Sequence, residues 1–82
     1  MKKYTYKTSG TCSKAINITI DDNNIIKELD FVRGCDGNLK GISALCIDQK
    51  AEDIIDKFEG ITCGFKKTSC PDQLAKALKE IL

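Results

Sequence analysis

"AINITIDDNNIIKELDFV", residues 15–32, decides the fold. Ile16, Ile18 and Ile20 alternate with Asn17 and Thr19, the period of two that belongs to a half-buried strand. Asp21, Asp22, Asn23 and Asn24 make a dense turn signal, because their short polar side chains bond nearby backbone and favour a reversal. The turn accounts for the two aspartates better than a catalytic carboxylate pair does. Alternation resumes over 25–32 and puts Ile25, Leu29 and Phe31 on one face. Two such strands around such a turn read as an antiparallel hairpin.

Upstream, "KYTYKTS" (3–9) alternates Tyr4 and Tyr6 with polar residues and reads as a short first strand. Downstream, "GCDGN" (34–38) ends the third strand, with Asp36 or Asn38 as the cap of a helix. Leu39, Ile42, Leu45 and Cys46 recur there at helical spacing. Asp48 opens a second helix, of similar length, whose apolar positions are Ala51, Ile54, Ile55 and Phe58, with Gly60 at its C-terminal end. A third helix has Ser69 or Cys70 as N-cap, Pro71 in the first turn and Asp72 at the positive end of the dipole. Its apolar stripe is Leu74, Ala77, Leu78 and Ile81. The order βββααα predicts an α+β fold, a three-stranded antiparallel sheet followed by three helices packed on one face.

The 82 residues make one domain, 1–82, with a core too small for a wide stability margin. Thirteen basic and twelve acidic residues leave a net charge of +1, so neither nucleic acid nor an anionic membrane is the expected partner. The absence of histidine excludes imidazole catalysis and imidazole metal ligation. No apolar run of signal-peptide or membrane-spanning length is present, and a cytoplasmic location is the expectation. Without histidine, a nucleophile and base can pair only as cysteine with lysine, and Lys14, two residues after Cys12, is the obvious candidate. An enzyme acting alone is not expected. "KTSGTCS" (7–13) lacks the spacing of a phosphate-binding loop, and Lys66-Lys67 reads as a solvated loop before an anion contact.

Five cysteines carry the chemistry. The hairpin places Cys12 about ten residues before its turn and Cys35 about twelve after it, at the same open end of the sheet. Two antiparallel helices joined by a short link return the chain to that end, where Cys63 follows Gly60 and Cys70 opens the last helix. Cys12, Cys35, Cys63 and Cys70 are thus expected at one pole, and Cys46 at the other as plain core packing. Cys35 and Cys70 precede helix N-termini, whose dipoles favour negative charge, and Gly34, Gly37 and Gly64 flank ligand positions. Four thiolates suit tetrahedral zinc or an iron–sulfur cluster. A structural zinc contributes on the order of 10 kcal/mol to folding. A redox pair, Cys63 with Cys70, and four independent packing thiols are the other readings.

With "GTCS" (10–13), "RGCDGN" (33–38), "GIS" (41–43) and "CGFKKTSCPDQ" (63–73) in this order, the chain resembles the small stand-alone, four-cysteine TSCPD-domain proteins. The resemblance covers almost the whole chain and implies Cys12, Cys35, Cys63 and Cys70 as the motif cysteines, with Cys46 outside the set. A related domain ends some adenosylcobalamin-dependent ribonucleotide reductases. This implies a ribonucleotide reductase or a redox protein as partner, and thiol delivery or protein contact as the role. A reductase label on a chain this short would rest on domain homology, since the radical chemistry needs a far larger barrel. The architecture is also similar to iron–sulfur scaffolds of the IscU/NifU type, whose three cysteines match Cys12, Cys35 and Cys70. Lys14 stands where the scaffold has aspartate and Ser69 where it has histidine, and no Leu-Pro-Pro-Val-Lys loop is present. These departures bear against cluster assembly and hand-over, while an iron–sulfur scaffold or carrier on the same cysteines stays an alternative to the metal-binding module, beside a protein-interaction module whose thiols are structural only.

Overall fold

The computed structural model describes residues 1–11, 13–34 and 36–82, with Asp36 by its backbone alone. The predicted order holds: β1 (Lys2–Lys7), β2 (Ala15–Ile20), β3 (Ile26–Val32), α1 (Asp36–Cys46), α2 (Ala51–Phe58) and α3 (Cys70–Ile81). The strands form one antiparallel sheet in the order β1-β2-β3. Among the described residues no helix is long and apolar enough to cross a membrane.

The alternation read from β2 places its isoleucines on the core face, opposite Tyr4 and Tyr6 of β1 and Leu29 and Phe31 of β3. The turn is held by Asp21, whose carboxylate accepts the N–H groups of Asn23 and Ile25, both at 2.9 Å. Those backbone donors, Ile25 first, lower the pKa of its carboxyl.

The expectation for Ile25 is corrected. The register shifts between Thr19 and Ile20, so that Thr19 faces Glu28 while Ile20 faces Ile26. Lys27 is the extra residue of this bulge, and the parity of the strand changes across it. Ile26, not Ile25, is fully buried. Lys27 instead reaches Asp48 at 3.1 Å and Asp21 at 4.0 Å.

The helices differ from expectation mainly at their ends. Helix α1 begins at Asp36, which places Asn38 inside it and not at its cap. Leu39 and Cys46 are buried and Ile42 packs on the core, but Leu45 is 75 % exposed, so it does not belong to the apolar stripe. Asp48 does not open α2. It takes a positive φ of 66°, and the segment after α1 pairs with the start of β3 instead. Ile26 N–H donates to Gln49 O at 2.9 Å, Asp48 N–H to Ile26 O at 2.8 Å, and Ile25 bridges Lys50. These bonds consume the backbone that a helix from Asp48 would need, so α2 starts at Ala51 and has 8 residues against 11 for α1. Gly60 follows its C-cap with φ 88°, as its position implies.

Leu74, Ala75, Ala77 and Leu78 of α3 are fully buried, and Ile81 packs at the edge of the cluster. Leu74, Ala77 and Leu78 meet the β2 isoleucines, Ile26, Cys46, Ala51 and Ile54 in one core. Each fully buried isoleucine or leucine contributes about 2 kcal/mol.

Candidate thiol site

Pro71 and Asp72 lie in the first turn of α3, and Ser69 is its N-cap. The Ser69 hydroxyl accepts the Asp72 N–H at 3.1 Å and donates to Ile61 O at 2.6 Å. A serine cap of this kind is worth about 1 kcal/mol. Here it also ties the helix to the segment that arrives from α2.

Asp72 has a larger part than the dipole alone predicts. Its buried carboxylate accepts the Gly60 N–H at 2.8 Å, the Lys76 ammonium at 2.8 Å and the Thr68 hydroxyl. Burial by itself would raise the pKa of this carboxyl. The bonds from Lys76, Thr68 and Gly60, with the Lys76 charge, outweigh burial and hold it at about 2. Gln73 completes the arrangement: its amide donates to Thr68 Oγ at 3.0 Å and accepts the Ser9 N–H at 3.2 Å. Thr68 O in turn accepts the Cys63 N–H at 3.2 Å, and Cys63 O accepts the Lys66 N–H at 3.0 Å. The Ser/Thr-x-x-acid spacing of Ser69 and Asp72 is the sequence signal from which this acid's structural role could be read.

In the stretch 68–72, therefore, threonine, serine and aspartate spend their polar atoms on holding the loop 60–68 against α3. The residue they position is Cys70. It is buried, at 8 % exposure, and its sulfur lies 3.4 Å from the hydroxyl of the equally buried Ser13. Cys63 is an exposed free thiol. Both cysteines line one cavity of about 150 Å³, with Thr11, Asn38, Leu39 and Pro71 also in its wall.

Cys12 and Cys35, the other two expected ligands, lie outside the described residues. Their chain neighbours do meet. Lys14 N–H donates to Val32 O at 2.7 Å, and Gly34, at φ 104°, lies so close to Ser13 that an added Cβ would stand 3.4 Å from its backbone. That Cβ would also come within 2.6 Å of Leu39, so glycine is required there for both its φ and its lack of a side chain. Among the described residues no group of three or more Cys, Asp or Glu is gathered as a metal cluster.

Cys46 fulfils its expected role. It is fully buried in the core beside the hairpin-turn end of the sheet, and burial pushes its thiol up to about 11. It is a small hydrophobe, inert as a nucleophile.

Neither a curated protein nor a solved structure matches the chain, and the expected similarity to the iron–sulfur scaffolds is not confirmed. A family model does match, over residues 2–82: the TSCPD domain. The stretch 68–72 that gives this family its name is the one that seats Cys70 beside Ser13 and ties down the Cys63 loop, and the chain belongs to the TSCPD-domain family.

Proposed function

We propose that this chain is a metal-binding module in which Cys12, Cys35, Cys63 and Cys70 hold one ion, with zinc as the preferred occupant. The observation that carries the proposal is the pairing of Cys63 and Cys70 on one cavity whose wall also includes Thr11 and Asn38. Ser13 against Gly34 supports it, because these residues adjoin the other two cysteines in sequence. Thiolate sulfurs suit zinc or an iron–sulfur cluster and offer no open position for catalysis when all four bind. Zinc would hold the short segments of this pole together where the apolar core does not reach. In this reading the module is an accessory to ribonucleotide reductase or to thiol metabolism, in contact with a reductase or redox protein in the cytoplasm, a role taken from the resemblance in sequence to the domain that ends some reductases.

A second reading uses the same sulfurs. Cys63 is exposed and Cys70 buried on a shared cavity, the disposition of an attacking and a resolving thiol, and it favours a dithiol carrier. Metal analysis of anaerobically purified wild type beside Cys63→Ser separates the two. One zinc per chain, or iron with matching sulfide, that is lost in the variant supports the module. A metal-free wild type with thiols that titrate freely refutes it and leaves the dithiol.

A further inference from the structure

We infer that the trough between the loop 63–68 and the start of α3 is a docking surface for a short acidic segment of a partner protein that carries aromatic side chains. The trough is open, with a volume of about 730 Å³, and its walls include Tyr6, Phe65, Lys66, Lys67 and Lys76. No aspartate or glutamate lines it. Among the described residues neither Lys66 nor Lys67 makes an ion pair. Lys76 binds Asp72 but is half-exposed, and an ammonium has three donors, so it retains capacity for a second carboxylate.

Phe65 supplies the apolar half of the argument. Its side chain is fully exposed, which is rare for so large a hydrophobe in a domain with a small core. The exposure does not come from a slack loop. Lys66 N–H closes a tight turn on Cys63 O, Gly64 takes the positive φ of 58° that the turn needs, and Cys63 N–H is fixed to Thr68 O. A built turn thus presents an aromatic ring beside ammonium groups, the pairing of apolar anchor and charged rim that marks protein interfaces.

The charge distribution selects the partner. The whole chain carries only +1, so the trough is a local concentration of cations and not part of a basic field. Nucleic-acid affinity is built from many phosphate contacts, which this surface does not offer. A few carboxylates flanking an aromatic side chain match three ammoniums around Phe65. The contacts of this proposal are lysines and a phenylalanine, not thiols, although Lys66 also borders the thiol cavity.

The test is a fluorescence-anisotropy titration with a labelled, glutamate-rich copolymer of glutamate and tyrosine. Wild type is expected to bind it, Lys66→Glu/Lys67→Glu to bind about tenfold or more weakly, and Phe65→Ser several-fold more weakly. Lys50→Glu/Lys57→Glu, with the same net charge, should bind like wild type. Pure polyglutamate should bind wild type about as weakly as the copolymer binds Phe65→Ser. Failure of wild type to bind the copolymer would overturn the proposal, as would equal weakening by both charge reversals. Tighter binding of a single-stranded oligonucleotide than of the copolymer would overturn it in favour of a phosphate ligand.

Discussion

Replacing Asp72 by asparagine tests the account of the loop 60–68 most directly. The carboxylate is buried and accepts from a backbone N–H, a hydroxyl and an ammonium, so the substitution removes the charge and one strong acceptor while leaving three donors in place. Losing charge-assisted bonds of this kind costs about 2–4 kcal/mol, a large share of what a domain this size has in reserve. The depressed pKa supplies a second, independent signature. A carboxyl lowered from 3.8 to about 2 contributes on the order of 2 kcal/mol at neutral pH. The sign follows from the direction: the group holds its proton more weakly when folded, so its contribution is complete above about pH 5 and is lost as pH falls through 4 toward 2. Urea unfolding followed by circular dichroism, on both proteins at matched metal content, should show a constant gap from pH 8 to 5. The gap should then shrink by about 2 kcal/mol by pH 2. A gap below about 0.5 kcal/mol at neutral pH, or one that does not change in acid, would refute the reasoning.

Two further outcomes follow from the packing. Gly34→Ala, with φ 104° and a Cβ driven to 2.6 Å from Leu39, should cost about 1–3 kcal/mol in urea unfolding and, on the proposed metal reading, lower the affinity for zinc, because it strains the backbone that follows β3. Cys46→Ala removes a fully buried sulfur and should cost about 1–2 kcal/mol while leaving the metal content of the purified protein unchanged.

The elements were legible because their periods are clean. The alternation of Ile16, Ile18 and Ile20 and the spacing of Leu74, Ala77, Leu78 and Ile81 each point to one face, and those faces form the core. What the pattern does not carry is competition for backbone hydrogen bonds. Asp48 looks like a helix start until residues 48–50 are seen paired with the beginning of β3, a contact that no local signal announces. Leu45 fits helical spacing, yet α1 covers only one side of the sheet near β3 and leaves that position in solvent. At the site, the pairing of Cys63 with Cys70 follows from chain path alone. Ser13 beside Cys70 does not, because it depends on how the β1–β2 connection folds over the start of α3.

The bulge at Lys27 also bears on how the sheet assembles. If the ladder of Leu29 with Ile18 and Glu28 with Thr19 simply continued, Lys27 would come opposite Ile20 and its ammonium would enter the core without a counter-ion. An unpaired buried charge costs several kcal/mol, so that uninterrupted ladder is closed to the chain during folding. Taking up one residue lets Ile26 seal the core beneath the turn and sends the lysine to Asp48. Lys27 thus acts as a register lock: the hairpin zips in the one alignment that brings Ile26 to Gln49, which is also the alignment that docks the connection between α1 and α2.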